Sequence, residues 1–517
     1  MERESEPKRL NHTKIWGLTL LSTLLLIFSF PDFDLWFLAW IAFVPLLLAI
    51  AQQPRWRGAF LLGWFTGSVF FYATCYWLSY SIIHYGRLST WLAYAAVIPG
   101  AVVLGLFPGL FAAIQARLIR VWGYKALVAA PFMWVALEWA RLSVTGQLWN
   151  AIGYSQAFHP SLIQIARWGG VYAVGFLIVT VNAAIVFALV SRTSKAVVVS
   201  GLILALVGLS LTISRLSFKV REDPVSFQGK PVLVVALQPN VPMDFDKTEQ
   251  QLAELFNLHL KESEEALAKA GAAGPVRLVI WPESPMNFAY GTDPDLRAQL
   301  ARFTRQNHTA LLFNSQEAAP NDGVYNSALL INEAGQLVAQ YDKIRLMPFG
   351  EYVPLPTWLP GANRIRGLVG GFASGSEYTL MSVGTARVGT FICIESAYPW
   401  IARAFAGEGA DVLVNISNDG YLGPTAVMRQ HLANTIFRAV ENGRPVLRVT
   451  NTGITAFIDR RGEVRDATTG FQNAVRVWSV EPTIFGQTFY TRHGDLFVAI
   501  CGILSIAMVA LSLKERV

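Results

Sequence analysis

Residues 276–283 read Val-Arg-Leu-Val-Ile-Trp-Pro-Glu, a short apolar run that ends directly at a carboxylate. Its β-branched and aromatic side chains predict a buried β-strand, and the proline predicts where that strand ends. Similar strands are predicted at 231–238, 309–314, 327–332, 389–393 and 411–415, with a long helix at 248–272. Strands that alternate with helices indicate an α/β or α+β layered domain, which we expect to span residues 216–492.

Three reactive side chains lie at the ends or turns of these elements. Glu283 follows the quoted strand, Cys393 follows Gly-Thr-Phe-Ile, and Lys343 lies in Tyr-Asp-Lys-Ile-Arg at 341–345. Singly, the carboxylate and the amine are typical of solvated surface groups, and the thiol of an inert core cysteine. Together they favour catalysis, because a carboxylate can take the proton of a thiol and an ammonium can stabilise an oxyanion.

The remainder of the chain has the composition of a membrane protein. Of all 517 residues, 53% are hydrophobic and 15% are charged, which excludes a disordered chain and makes a wholly soluble one improbable. Apolar runs predict about eight transmembrane helices, because each crossing needs about 20 apolar residues. They lie at about 15–30, 34–50, 58–80, 89–116, 126–142, 161–191, 196–214 and 495–513. We therefore expect a membrane domain at 1–215, the layered domain at 216–492 and a final transmembrane helix at 493–517.

The distribution of basic residues predicts the orientation. If the N-terminus lies inside, the inner segments carry thirteen Lys and Arg and the short outer connections at most three, namely Arg87, Arg141 and Arg167. Because cytoplasmic loops are rich in Lys and Arg, the layered domain is expected to face outward. The net charge of +7 is then explained by membrane orientation, and we expect no nucleic-acid partner.

The cysteines and the buried charges of the membrane half suggest further roles. The chain has three cysteines, and Cys75 and Cys501 lie in apolar spans, where we interpret them as packing residues. Glu138 and Arg141 stand three residues apart, on one face of a predicted helix. They predict either mutual neutralisation or contact with a lipid headgroup.

The order Glu283, Lys343, Cys393 and the residues around them resemble the nitrilase superfamily. The motifs are Trp281-Pro-Glu283, then Tyr341-Asp-Lys343 with Pro348-Phe-Gly-Glu351-Tyr-Val-Pro354, then Ile392-Cys393-Ile-Glu395. The resemblance implies an α-β-β-α sandwich, with Cys393 as nucleophile, Glu283 as general base and Lys343 stabilising the oxyanion. It implies that Glu351 and Glu395 support Lys343 and the pocket, and the alternative is that each is a plain structural ion pair.

With its membrane half, the chain resembles the apolipoprotein N-acyltransferase family over essentially its whole length. Further similar segments are Trp134–Arg141, Gly153–Gln156, Gln430–His431, Arg438–Pro445 and Arg448–Gly453. The resemblance implies a phospholipid acyl donor, a diacylglyceryl apolipoprotein acceptor and a multi-pass location in the bacterial inner membrane, with the catalytic domain periplasmic. Several positions depart from the family pattern. Among them, Ile394 stands where tyrosine is common, and Arg345 where histidine is more familiar.

Two alternatives remain open at this point. A membrane-anchored amidase that uses water as acceptor would share the thioester chemistry, and a transporter or lipid-binding protein could carry an inactive enzyme-like domain. Eight spans favour a substrate that arrives within the bilayer. We expect no cofactor and no metal, since no metal cluster, phosphate loop or dinucleotide fingerprint is visible in the sequence. We also expect a monomer. Residues 358–372 mix apolar side chains with glycines, as a membrane-dipping lid or an ordinary surface loop would.

Overall fold

The computed structural model divides the chain into two compact units, residues 1–220 with 493–517, and residues 221–492. The residues described are 10–53, 55–146, 148–219, 231–244, 247–271, 276–283, 286–320, 323–353, 358, 371–481 and 486–515. Most of the predicted lid, residues 359–370, lies outside the described residues.

The first unit is helical. Its helices are α1 (His12–Phe28), α2 (Ala39–Ala51), α3 (Trp56–Cys75), α4 (Leu78–His84), α5 (Thr90–Trp122), α6 (Ala130–Thr145), α7 (Ala166–Ser191) and α8 (Ser194–Lys219). Short 3₁₀ segments connect several of them, and α13 (Phe489–His493) precedes α14 (Leu496–Lys514) at the C-terminal end. A helix therefore lies at each of the eight apolar runs of the sequence.

Five helical stretches among the described residues are long and apolar enough to cross a membrane. They are Trp56–Cys75, the continuous stretch Thr90–Thr145, Ala166–Ser191, Ser194–Leu216 and Leu496–Lys514. Helix α1 and the Trp36–Ala51 stretch are apolar but shorter. The fold thus fits a membrane domain, and the count of eight crossings stays a prediction.

Small residues let α3 and α5 pack closely. A Cβ at Gly63 would lie 2.2 Å from the carbonyl oxygen of Pro108, and one at Gly67 would lie 2.7 Å from the Cγ of the same proline. On the facing helix, a Cβ at Gly105 would lie 2.2 Å from Ser68 Oγ. Close approach of this kind increases dispersion contacts, which drive helix association where water is absent.

The second unit contains two mixed β-sheets. The first has the order β13-β1-β2-β3-β4-β5, with β6 paired to β4, and the second has the order β12-β11-β10-β9-β8-β7. The first sheet comprises β1 (Val232–Gln238), β2 (Val276–Ile280), β3 (Ala310–Ala318), β4 (Val324–Ile331), β5 (Leu337–Asp342), β6 (Phe372–Ala373) and β13 (Ala474–Val480). The second comprises β7 (Leu380–Val383), β8 (Ala386–Ile392), β9 (Val412–Ser417), β10 (Val446–Thr450), β11 (Ala456–Ile458) and β12 (Val464–Arg465).

Each sheet has a parallel centre covered by helices on one face. Strands β1, β2 and β3 run parallel, as do β8, β9 and β10. The flanking strands pair antiparallel, except β6, which pairs parallel to β4. Helices α9 (Glu249–Lys269) and α10 (Pro294–Asn307) pack on the first sheet, while α11 (Pro399–Gly407) and α12 (Val427–Asn442) pack on the second. Contacts of β1 with β10 and of β5 with β7 join the two sheets face to face. The layers are therefore α-β-β-α.

Trp281 anchors the end of β2 in the core under α9 and α10. Its side chain is 1% exposed, and it lies against the rings of Phe256, Phe303 and Phe313. Its indole N–H donates to Ser263 Oγ at 3.0 Å, which satisfies the only polar atom of the ring. A large side chain held in this way fixes the backbone two residues before Glu283.

Candidate active site

The carboxylate of Glu283 is held by three donors from distant parts of the chain. Its Oε1 accepts from Asn326 Nδ2 at 2.9 Å and from Lys343 Nζ at 3.4 Å. Its Oε2 accepts from the backbone N–H of Asn418 at 3.1 Å. The side chain is only 14% exposed, so these bonds set its orientation. A carboxylate oriented by fixed donors is suited to act as a base toward a neighbouring group.

Lys343 is buried beside two carboxylates. Its side chain is 1% exposed, and Nζ donates to Glu351 Oε1 at 2.9 Å as well as to Glu283. Burial opposes the charge, but the attraction of Glu283 and Glu351 outweighs it and raises the pKa of Lys343 well above its ordinary value. An ammonium has three N–H donors, so one remains for an oxygen of a substrate.

Cys393 stands at a sharp turn between β8 and a 3₁₀ helix, Cys393–Ala397. Its φ of 53° lies in the left-handed region, which non-glycine residues rarely adopt, and such conformations cluster at active sites. The residue is half-buried. Burial raises the pKa of its thiol, and the negative charge of Glu283 raises it further while Lys343 opposes that shift. The resting thiol is therefore neutral, and a base must remove its proton during attack.

Two side chains hold the backbone carbonyl of Cys393. His431 Nε2 lies 2.9 Å from this oxygen, and Asn415 Nδ2 donates to it at 3.4 Å. A carbonyl can only accept, so the bond from the imidazole requires a proton on Nε2. Both side chains are buried, on α12 and β9 respectively. This arrangement fixes the turn on which the thiol stands.

A buried charge cluster supports His431. Its Nδ1 lies 2.8 Å from Asp419 Oδ1, and Arg448 Nη2 donates to Asp419 Oδ2 at 2.9 Å. Burial would raise the pKa of Asp419, but Arg448 and His431 together lower it to about 2. Burial and the charge of Arg448 lower the pKa of His431. Asp419 is therefore a permanent carboxylate that orients the imidazole ring. Because it too can only accept, both contacts of the ring are hydrogen bonds when Nδ1 carries a proton as well as Nε2.

Glu351 is the second carboxylate partner of Lys343. Its Oε1 accepts from Lys343 Nζ and from Asn326 Nδ2 at 2.7 Å, and its Oε2 accepts from the backbone N–H of Met347 at 2.7 Å. Glu351 thus pairs with the lysine and also fixes the backbone of the loop at Met347. Asn326 bridges the two carboxylates with one amide group.

Glu395 ties the turn that carries the lysine to the turn that carries the thiol. Fully buried, it accepts from the backbone N–H groups of Ile344 at 2.7 Å, Arg345 at 3.0 Å and Ile392 at 2.7 Å. The hydroxyl of Tyr341 donates to both of its oxygens at 2.9 Å. Burial raises the pKa of Glu395 to about 7 in spite of these bonds. Its contacts are those of a structural brace.

The structure brings Glu283, Lys343, Glu351 and Cys393 together and places Glu395 behind them. Sequence reasoning missed Asn326, Asn415, Asp419 and His431 as site residues. One signal could have found two of them: asparagine is uncommon inside strands, yet Asn326 and Asn415 lie in β4 and β9. Within the described ranges, no group of three or more His, Cys, Asp or Glu side chains is placed to hold a metal ion.

In the helical unit, Glu138 and Arg141 are both buried. Glu138 Oε1 accepts from the backbone N–H of Ile152 at 2.8 Å, and Arg141 Nη1 donates to the carbonyl of Trp149 at 2.9 Å. Both charged side chains therefore form hydrogen bonds with the backbone of the segment that follows α6, at residues 149 and 152. Cys75 and Cys501 are buried and free of disulfides, as their apolar surroundings predict.

Two family models match the chain. The carbon-nitrogen hydrolase model covers residues 233–477, and the model of the apolipoprotein N-acyltransferase N-terminal domain covers residues 22–184. The sandwich and these two matches thus define a protein of the carbon-nitrogen hydrolase class, the nitrilase superfamily, joined to a helical membrane domain. The chain belongs to the apolipoprotein N-acyltransferase family.

Curated relatives cover nearly its full length. The apolipoprotein N-acyltransferase of Geobacter metallireducens is 35% identical over 510 residues, which cover 96% of this chain and 95% of that protein. The one from Allorhizobium ampelinum is 31% identical over 88% of this chain and 85% of that protein. Among solved structures, an amidase from Nesterenkonia sp. AN1 is 17% identical with a TM-score of 0.39, covering 54% of this chain and 99% of that chain.

Proposed function

We propose that this chain moves an acyl chain from a phospholipid to the N-terminal amino group of diacylglyceryl-cysteine in apolipoproteins, the last step of bacterial lipoprotein maturation. The observation that carries the proposal is the buried Glu283–Lys343 pair beside the thiol of Cys393. The same chain is 35% identical, over 96% of its length, to an apolipoprotein N-acyltransferase.

In the first half-reaction, Glu283 takes the proton of the Cys393 thiol as the sulfur attacks the ester carbonyl of the phospholipid. The carbonyl oxygen becomes an oxyanion, which the third N–H of Lys343 stabilises. Collapse of the tetrahedral intermediate breaks the ester C–O bond, and the proton held by Glu283 passes to the departing lyso-phospholipid oxygen. The acyl chain remains on sulfur as a thioester.

In the second half-reaction, the amine of the diacylglyceryl-cysteine attacks the thioester carbonyl. Glu283 takes a proton from the attacking nitrogen, and Lys343 again stabilises the oxyanion. Collapse breaks the C–S bond, releases the N-acylated product and returns the proton to Cys393. Acyl transfer is favoured over hydrolysis, because the long apolar helices suit a donor that arrives within a bilayer.

The location and organisation follow as part of the same proposal. The Lys and Arg distribution supports eight crossings of the bacterial inner membrane, with the catalytic domain periplasmic. We assign the membrane domain to residues 1–215, the catalytic domain to 216–492 and the last crossing to 493–517. A monomer is proposed because Glu283, Lys343 and Cys393 all come from one chain.

A time course without acceptor tests acyl transfer against hydrolysis. Purified protein given phospholipid alone should release about one lyso-phospholipid per active site and then stop, because the thioester waits for an amine. Mass spectrometry should locate the acyl adduct on Cys393, and added diacylglyceryl-cysteinyl peptide should restart turnover. The Cys393→Ala variant is the control and should release nothing. Sustained release of free fatty acid without acceptor would show that water is the acceptor and that the amidase alternative holds.

A further inference from the structure

The guanidinium of Arg345 lies on a shelf formed by two aromatic rings. Its Cζ is 5.1 Å from the ring centre of Trp400 and 5.8 Å from that of Tyr398. The two rings are in edge contact, with centres 5.0 Å apart at 70°. A planar cation on ring faces keeps its charge, and its N–H groups remain available at the edges.

The backbone of Arg345 is fixed with respect to the catalytic lysine. Its N–H donates to the buried Glu395 at 3.0 Å, and it stands two residues after Lys343. The N–H of Tyr398, in turn, donates to the backbone carbonyl of Glu395 at 3.0 Å. The shelf therefore lies beside the catalytic pocket, within the same unit.

Arg345 is an exposed cation that lacks an ion-pair partner among the residues described. Two buried arginines of this unit differ in this respect, since Arg438 pairs with Glu441 and Arg448 with Asp419. An arginine held in place by rings and lacking a carboxylate partner is suited to bind an anion from outside the chain.

Two exposed aromatic side chains lie in the loop that follows Arg345, which Glu351 ties to Lys343. Phe349 is 55% exposed and Tyr352 is 40% exposed, and the N–H of Phe349 donates to the carbonyl of Tyr352 at 2.7 Å. A fixed cation next to exposed rings suits an anion that carries an apolar body.

We propose that Arg345, on the shelf of Tyr398 and Trp400, binds the phosphate of the donor phospholipid while the neighbouring rings contact its glycerol and acyl portions. The inference rests on the proposed function and adds a donor-specificity residue to it. A guanidinium fork matches the geometry of two phosphate oxygens, which a neutral headgroup does not offer.

The test compares two donors with identical acyl chains, phosphatidylglycerol and a neutral diacylglycerol glycolipid. For Arg345→Gln, kcat/KM with phosphatidylglycerol should fall about tenfold through KM, because a charge-assisted hydrogen bond is lost. With the glycolipid it should not change, and neither should kcat or the KM of the diacylglyceryl peptide. Arg345→Lys should fall in between, and Trp400→Leu should lose about threefold through the weakened cation–π contact.

Arg302→Gln is the matched control, since this arginine is exposed on α10 of the same unit. Its kinetics should equal those of the wild type, and thermal unfolding should show both Gln variants folded. Equal losses of Arg345→Gln with both donors, or a change confined to the KM of the acceptor peptide, would overturn phosphate recognition. Failure of the wild type to use any phospholipid would instead refute the proposed function.

Discussion

At Cys393, one thiol lies under the influence of a carboxylate and an ammonium that act on it in opposite directions. Burial and Glu283 raise the pKa of the thiol, whereas Lys343 lowers it, and the net result is a raised pKa. In the proposed mechanism, the nucleophile is therefore generated only when Glu283 takes the proton. This differs from cysteine enzymes that hold a thiolate at rest beside a cation.

Removal of the Glu283 charge should separate thiol ionisation from catalysis. Since Glu283 raises the pKa of Cys393, Glu283→Gln should speed alkylation of the thiol by iodoacetamide at a given pH, from about pH 7 to about pH 10. The same variant should form no thioester, because it lacks a base. Peptide mass spectrometry would follow both events at Cys393. Lys343→Met should slow alkylation, because the ammonium of Lys343 lowers the pKa of the thiol. If Glu283→Gln were alkylated more slowly than the wild type, Glu283 could not be the group that raises the pKa of Cys393.

His431 is expected to matter through the geometry of the nucleophile. His431→Ala removes a buried donor from the Cys393 carbonyl, so kcat should fall roughly tenfold or more, with little change in the KM of either substrate. His431→Gln keeps an N–H at similar reach and should recover part of kcat. The exposed His308→Ala serves as control. Steady-state kinetics would measure both constants, and a loss confined to KM would contradict a positioning role.

At the scale of single elements, the close packing of α3 on α5 depends on glycines at the contact. A methyl group at Gly63 would lie 2.2 Å from the backbone oxygen of Pro108, which cannot move aside like a flexible side chain. In contrast, a methyl group at Gly100 of α5 would meet nothing within 4 Å. The two glycines therefore form a matched pair for substitution.

Gly63→Ala should destabilise the protein by about 1–3 kcal/mol through overpacking. Gly100→Ala should be neutral or stabilise it by up to about 1 kcal/mol, because alanine favours the helical state. Thermal unfolding in detergent would compare the two with the wild type. Equal unfolding temperatures for both variants would mean that the helices do not approach as closely as described.

For the whole molecule, the orientation rests on thirteen inner against three outer basic residues. A reporter fused after residue 226, which lies outside the described residues, should be active only in the periplasm. One fused after residue 517 should be active only in the cytoplasm. Fusions that carry both an alkaline phosphatase and a green fluorescent protein would measure this. The reverse pattern at either point would contradict the proposed crossings.

Much of the architecture could be predicted from local pattern. Residues 231–238, 276–281, 389–393 and 411–415 were predicted as strands, and β1, β2, β8 and β9 lie there. Such strands are recognisable because burial on both faces produces continuous apolar runs. Strands β5 and β10 to β13 were not predicted, since their short or mixed sequences gain strand structure only from pairing with neighbours.

The sequence by itself indicated the groups that we propose to carry the chemistry, because Glu283, Lys343 and Cys393 each follow a recognisable local pattern. Only the tertiary structure decided how these groups are held. The backbone of Asn418 reaches Glu283 across 135 residues, and His431 reaches Cys393 across 38. Hydrogen bonds of this kind depend on sheet order and on helix packing, which no single segment encodes. The geometry of the site therefore arises from the whole sandwich, whereas its candidate reactive residues can be recognised from the local sequence.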